Sequence, residues 1–138
     1  MSMHIEIITP DHTIYSGEAD AISIPTPDGE ITVLQHHIPL ISIVVPGTVE
    51  VRQGKNESLF AVSRGVIEID GLTVRLLVDT ADRAQELTEE AILRAQEAAQ
   101  KLMTEKRHDT EGFAEATAML ERELARLKVV RRHRSRRT

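Results

Sequence analysis

The sequence predicts an antiparallel β-sandwich, in the form of a flattened barrel, over residues 1–84 and a two-helix hairpin over residues 85–138. In the first part, short apolar or alternating runs recur with turn residues between them, a pattern typical of all-β domains. All five prolines and six of the seven glycines lie at or before Gly71. From Ala84 to His108 neither residue type occurs, and apolar residues recur there at helical spacing. The two parts therefore meet at a sharp boundary near Ala84.

Nine runs in the first part are predicted as strands because they alternate at period two or are short and apolar. The segments 9–11, 25–29, 46–47 and 54–56 are predicted as turns, because they contain proline, which fixes φ, or glycine, which permits values closed to other residues. Because no helical crossover separates the runs, we expect only antiparallel pairing. The predicted strands are His4–Ile8, Thr13–Ser16, Glu18–Ile24, Glu30–Leu34, Ile38–Val44, Thr48–Gln53, Ser58–Ser63, Val66–Asp70 and Leu72–Val78.

The second part is predicted as a helical hairpin whose first helix begins after an N-cap at Thr88, with Glu89 and Glu90 at the positive end of its dipole. The polar segment 108–112 separates the helices. The predicted contact face of the first helix is Ala91, Ile92, Ala95, Ala98, Ala99, Leu102 and Met103, and that of the second is Phe113, Ala116, Thr117, Leu120, Leu124 and Leu127. A seam of alanine methyl groups buries less apolar area than a leucine seam, so we expect loose packing. A hairpin that opens and a permanently folded tail both fit this pattern.

The amino-acid composition limits the classes of protein to which the chain can belong. The chain has no cysteine, which excludes disulfides and fits a reducing compartment, and only three aromatic residues, which leaves little for base stacking. No signal peptide is expected at the N-terminus, and no apolar stretch reaches the ~18 residues of a membrane span. Residues 1–82 carry a net charge of −8, whereas residues 122–138 hold eight basic side chains against one acidic side chain. The sequence therefore predicts an acidic body with a basic tip.

No catalytic constellation is visible, and no metal or cofactor is expected. His36 and His37 would point to opposite faces of a strand, so they cannot share one metal ion. A sandwich metalloenzyme that uses His36 or His37 is the weakest alternative, because a third ligand is missing. The sequence has neither a glycine-rich phosphate loop nor a Gly-x-Ser-x-Gly elbow.

The basic tip is the stronger functional signal. Arg122 and Arg126 lie one helical turn apart, so an ordered helix should display them, which favours a specific acidic protein partner. A nucleic-acid-binding module whose basic hairpin contacts phosphates is the alternative function, and a solvated tail is the alternative without function. The acidic body and the scarcity of aromatic residues count against nucleic acid. The basic residues are Arg122, Arg126, Lys128, Arg131, Arg132, Arg134, Arg136 and Arg137.

An ordered set of short motifs spans almost the whole chain. It comprises the Pro/Asp-Gly-Glu segment at Pro25 to Glu30, Val33-Leu34-x-x-His37-x-Pro39-Leu40, Pro46-Gly47-x-Val49, Ser63-x-Gly65-x-Ile67-Glu68, then Val74, Leu77, Asp79-Thr80-Ala81 and Arg83-Ala84. With the terminal hairpin, this set resembles the epsilon subunit of bacterial and chloroplast F-type ATP synthases. The resemblance implies a non-catalytic subunit of the central stalk, peripheral to the cytoplasmic face of the cell membrane. It also implies a sandwich that binds the gamma subunit and the c-ring.

The resemblance also implies roles for particular residues. Glu30 and His37 correspond to the region near gamma and the c-ring. The hairpin of this family folds against the sandwich or extends toward the alpha and beta subunits, where its basic second helix meets an acidic segment of beta and restrains ATP hydrolysis. The residues at the corresponding positions are Arg122, Arg126, Lys128, Arg131 and Arg132.

Two departures from the family pattern affect these expectations. Members that bind ATP carry Ile/Leu-Asp-x-x-Arg-Ala where this chain has Leu87 to Ile92, with Thr88 and Ala91 in place of the Asp and Arg. Arg94 comes three residues late, so we expect no nucleotide binding. Gln35-His36 replaces the usual Pro-Gly before His37, which predicts an altered loop there.

Overall fold

The computed structural model describes residues 2–137, with side chains up to residue 135, and consists of a ten-stranded sandwich followed by two helices. A 3₁₀ turn at Ala84–Glu86 joins the two parts. Among residues 2–137 no helix is long and apolar enough to cross a membrane. The elements are β1 Met3–Ile8, β2 Thr13–Ala19, β3 Ala21–Thr26, β4 Gly29–Leu34, β5 Leu40–Val44, β6 Gly47–Gln53, β7 Asn56–Val62, β8 Gly65–Asp70, β9 Thr73–Val78, β10 Ala81–Arg83, α1 Glu89–Glu105 and α2 Thr110–Arg137.

The strands form two five-stranded sheets that enclose an aliphatic core. Sheet 1 has the order β2-β1-β9-β8-β5, and sheet 2 has the order β10-β7-β6-β3-β4. Alternate residues of each strand point inward, as Met3, Ile5 and Ile7 of β1 do, and these three are fully buried. Phe60 is the largest core side chain, and its ring meets that of Tyr15 edge to face at 5.7 Å. The predicted sandwich and hairpin are both confirmed.

The antiparallel-only expectation was wrong for one pair, because β1 runs parallel to β9 from the His4–Thr73 pair to the Ile8–Leu77 pair. The chain between these strands passes through sheet 2, so crossings between sheets take the place of a helical crossover. The predicted break at Gly17 was also wrong, since β2 continues to Ala19. The corner lies at Asp20, whose carboxylate accepts a hydrogen bond from the Gly54 amide at 2.6 Å while the chain changes sheets. The short β10 was not predicted.

Helix α2 is packed between sheet 2 and α1. Val129 contacts Leu59, Ala61 and Ala84 on the outer side of sheet 2. Leu127 and Val130 contact Ile92 of α1, which defines the second small apolar cluster. Because α2 has a neighbour on two sides, its buried residues do not follow one stripe.

The predicted contact faces are therefore only partly right. Ala99 and Ala116 are buried as predicted. Phe113 and Leu124, however, are 39% and 52% exposed, and Ala91 and Ala98 are exposed as well. Thr88 is the N-cap residue of α1, but its hydroxyl makes no capping hydrogen bond.

Candidate functional site

The segment between β4 and β5 holds His36 and His37 in a loop, so the expected geometry, with the two side chains on opposite faces of a strand, does not apply to them. His36 has a φ of 66°, in the left-handed region that a non-glycine residue enters at a cost of about 1–2 kcal/mol. The backbone thus keeps a glycine-like conformation where this chain has no glycine. Nδ1 of His37 lies 2.7 Å from the Ile38 carbonyl oxygen and donates a hydrogen bond to it. No group of three or more His, Asp or Glu in the described part of the chain is arranged to hold a metal ion.

Glu30 and His37 are not brought together. Glu30 is exposed near the start of β4, and His37 lies beyond the opposite end of that strand. The strand between Glu30 and Leu34 alone spans about 13 Å. Glu30 instead lines a polar groove of about 320 Å³ on sheet 2, with Ser23, Thr32 and Arg52 among its neighbours.

The outer face of sheet 1 carries an exposed apolar row that the sequence analysis missed. Ile43, Val66 and Leu77 occupy paired positions on β5, β8 and β9, so their side chains adjoin across three strands. Ile43 is 61% exposed, and Ile41, two residues earlier on the same face, is 73% exposed. Val44 of the same strand is fully buried in the core. The sequence signal for this surface was that β5 is apolar on both faces. Such a strand indicates that both of its faces are covered in the assembled protein.

We define the apolar surface as the exposed hydrophobic residues of β5, of β8 and β9 in the same sheet, and of the segment from the end of β4 to β5. It covers part of the outer face of sheet 1 and the adjoining end of the sandwich. On sheet 2, α2 covers the outer face of β6 and β7. The residues are Leu34, Ile38, Leu40, Ile41, Ile43, Val66 and Leu77.

Most basic residues of α2 form ion pairs with carboxylates of the same chain. Arg126 donates to Asp82 of β10 and to Glu123 one turn earlier, both at 2.7 Å. Arg132 pairs with Glu50 of β6. Lys128 is exposed and has no carboxylate partner among the described side chains. The side chains of Arg136 and Arg137 lie outside the described residues.

Glu123 is the charged residue that the sequence analysis overlooked. It is only 2% exposed, and its Oε1 accepts hydrogen bonds from Arg126 at 2.7 Å and from Arg122 at 3.4 Å. A buried carboxylate needs such partners, because burial without them is costly. Its position as the single acidic residue in a basic segment was the signal that could have identified it.

The start of α1 and the end of α2 meet at Glu89. Arg131 donates to its Oε1 at 3.1 and 3.2 Å, and Arg134 donates to its Oε2 at 2.8 Å. The Arg131 hydrogen bond, aided by the positive charges of both arginines, lowers the pKa of the Glu89 carboxyl below its ordinary value.

The segment Leu87 to Ile92, where ATP-binding members of the resembled family carry their nucleotide motif, lies at the start of α1. Thr88 and Ala91 are exposed, and Arg94 donates only to the Glu90 carbonyl of its own helix. Glu89, in contrast, supplies a negative group to Arg131 and Arg134. The absence of nucleotide binding remains a prediction.

Comparison with known proteins gives a consistent family. The family described as ATP synthase, Delta/Epsilon chain, beta-sandwich domain matches residues 2–84. A protein named ATP synthase epsilon chain from Chloroflexus aggregans is 36% identical over 139 residues, covering 99% of this chain and 98% of the relative. One of the same name from Halalkalibacterium halodurans is 31% identical, covering 95% and 98%.

Solved structures share the fold. A chain from the Euglena gracilis mitochondrial ATP synthase, in a structure of OSCP/F1/c-ring in rotational state 1, matches with a TM-score of 0.72 at 23% identity. The match covers 87% of this chain and 76% of that chain. At this identity the likeness concerns the sandwich and helices as a fold.

Proposed function

This chain belongs to the ATP synthase epsilon chain family, and on that premise we propose that it is a non-catalytic subunit of the central stalk. The observation that carries the proposal is the apolar surface on sheet 1. Its residues include one apolar row, formed by Ile43, Val66 and Leu77 across three strands of a rigid sheet, which fits a large, permanent protein partner. We assign this surface to the gamma subunit. The c-ring and the alpha and beta subunits are the further partners, and they hold the chain at the cytoplasmic face of the membrane.

The loop around His37 continues the apolar surface toward the end of the sandwich. Ile38, next to His37, is the most exposed of its large apolar residues. We therefore place His37 at the gamma and c-ring contact. Glu30 lies on the other sheet beside the β3–β4 turn, so we assign it to a separate part of the gamma and c-ring interface.

The experiment is a binding measurement between the full chain and purified gamma subunit. Fully burying an isoleucine contributes about 1.5–3 kcal/mol, so Ile43→Lys should weaken binding roughly 10- to 100-fold. Leu72→Lys is the matched control, because Leu72 is also exposed, at 51% against 61% for Ile43, but lies in the turn between β8 and β9, outside the apolar surface. Equal affinities for wild type and Ile43→Lys would refute this assignment.

We also propose that α2 restrains ATP hydrolysis when it leaves the sandwich and meets an acidic segment of beta. Replacing Arg122, Arg126, Lys128, Arg131 and Arg132 by alanine should then relieve inhibition in the reconstituted complex, without loss of assembly through the sandwich. Single exposed charge pairs contribute only about 0–1 kcal/mol, so the five changes should act together. The same hydrolysis rate with wild-type, five-alanine and hairpin-deleted chains would contradict the inhibitory role.

The nucleic-acid alternative is not favoured. Arg122, Arg126, Arg131, Arg132 and Arg134 all have carboxylate partners within the fold, which lowers the charge available to phosphates. A filter-binding assay with duplex DNA and single-stranded RNA at 50 mM salt should show no retention.

A further inference from the structure

Helix α2 is attached to the rest of the molecule by charge pairs along its length. Arg126 reaches β10, Arg132 reaches β6, and Arg131 and Arg134 reach the first turn of α1. A fifth pair has the opposite polarity, since Glu121 of α2 accepts from Arg64 at 2.9 Å. Both oxygens of Glu89 are used, so this one carboxylate links the two ends of the hairpin.

The apolar attachment of α2 is small by comparison. Val129 packs with Leu59, Ala61 and Ala84, and a second cluster joins Leu127 and Val130 to Ile92. The main core, by contrast, lies wholly between the two sheets. Hydrophobic stabilisation is roughly proportional to buried area, so α2 can separate from the sandwich at far lower cost than the sandwich can unfold.

Charge pairs, unlike apolar contacts, are weakened by salt and can exchange partners. They are screened by salt over about 8 Å at physiological ionic strength, and a carboxylate from another molecule can replace the acidic partner. Glu50 belongs to the sandwich and pairs with Arg132, whereas Glu89 belongs to α1 and pairs with both Arg131 and Arg134. The folded hairpin thus satisfies its arginines with its own carboxylates.

We propose that Glu89 and Glu50 form an internal acidic clasp, which keeps α2 folded without a nucleotide and keeps Arg131, Arg132 and Arg134 paired, so that an external acidic partner can bind them only when the clasp opens. The clasp makes the two uses of these arginines mutually exclusive. Only the identity of the external partner rests on the proposed function. Opening of the hairpin in the isolated chain does not depend on it.

The test measures hairpin opening in the full chain. The sequence has no cysteine, so Lys55→Cys in the β6–β7 turn and Ala118→Cys on α2 place two spin labels at exposed positions. Electron–electron distance distributions at 20 mM and 500 mM KCl then report the folded and open populations. Since salt weakens exposed pairs, we expect the open fraction to increase at high salt.

The clasp variant is Glu89→Gln, and the matched control is Glu90→Gln. Glu90 is the next residue, is exposed, and its side chain makes no ion pair among the described residues, so both variants change the net charge equally. At low salt we expect Glu89→Gln to raise the open-to-folded ratio about two- to fivefold, and the double variant Glu50→Gln/Glu89→Gln to raise it further. Glu90→Gln should match wild type. Adding hexaglutamate peptide should open Glu89→Gln at a lower concentration than wild type.

Equal open fractions for Glu89→Gln and Glu90→Gln would overturn the proposal, as would an open fraction that does not respond to salt. Failure of the clasp and failure of the inhibitory role are separable. An isolated chain that opens as expected, combined with a reconstituted complex whose hydrolysis ignores the five-alanine change, would uphold the clasp and reject inhibition.

Discussion

The Arg126→Met substitution should weaken the docking of α2 against the sandwich. It removes two hydrogen bonds, to Asp82 of the sandwich and to Glu123 of α2, each 2.7 Å long. The Glu123 side chain is only 3% exposed, so the change leaves a buried carboxylate with one remaining donor, Arg122 at 3.4 Å. Removing one partner of a buried ion pair costs about 3–5 kcal/mol. Because Arg122 compensates in part, we expect a loss of about 2–4 kcal/mol in the docking of α2.

Hydrogen exchange measured by mass spectrometry reports this loss of docking free energy at the amides of α2. At about 1.4 kcal/mol per tenfold, amides of α2 that exchange through undocking should exchange roughly 30- to 1,000-fold faster in Arg126→Met. Amides of β1, in the core of the sandwich, serve as the internal control and should be unchanged.

The double variant Glu123→Gln/Arg126→Met removes the buried charge along with its partner. Its α2 exchange should return to within about tenfold of wild type, because replacing both members of a buried pair is often near neutral. An unchanged α2 in Arg126→Met, or a double variant as destabilised as the single one, would refute this reasoning about Glu123.

Three further predictions follow from the same contacts. A fragment ending at Leu87 should melt cooperatively and still bind gamma, because the main core lies within the sandwich; a non-cooperative thermal transition would contradict this. Isothermal calorimetry should detect no micromolar ATP binding, since Thr88 and Ala91 offer neither carboxylate nor guanidinium; such binding would show a different site. Lowering pH through the depressed pKa of Glu89, below the ordinary 4.5, should open the hairpin in wild type but less in Glu89→Gln, as measured by spin-label distances.

The sandwich was predictable because alternation along each strand is a local signal. β1, β8 and β9 follow it closely: their inward residues are buried, and their outward residues are half-buried in β1 and mostly exposed in β8 and β9. The parallel pairing of β1 with β9 was not predictable, since it depends on the path of the chain between the sheets. The corner at Asp20 was missed for the same reason, because its hydrogen bond joins residues far apart in sequence.

The candidate site was predictable only in its residue types. The basic segment was evident, and Arg122 and Arg126 do lie on an ordered helix. Their partners were not evident, because Asp82 and Arg126 are 44 positions apart, and Glu50 and Arg132 are 82 apart. Only the packing of α2 against sheet 2 brings these charges together. The exposure of Phe113 and Leu124 was missed because helical periodicity identifies an apolar stripe but not the number of neighbours a helix has.

The position of β5 has a consequence for the life of the chain before assembly. β5 is the edge strand of sheet 1, and it presents unpaired backbone groups beside the exposed Ile41 and Ile43. Such an edge is a template for strand pairing between copies, which Pro39 and Pro46 on either side limit but do not remove. Chains made in excess of their partner should therefore aggregate through this strand, so the cell benefits from synthesising the chain in step with the subunit that covers it.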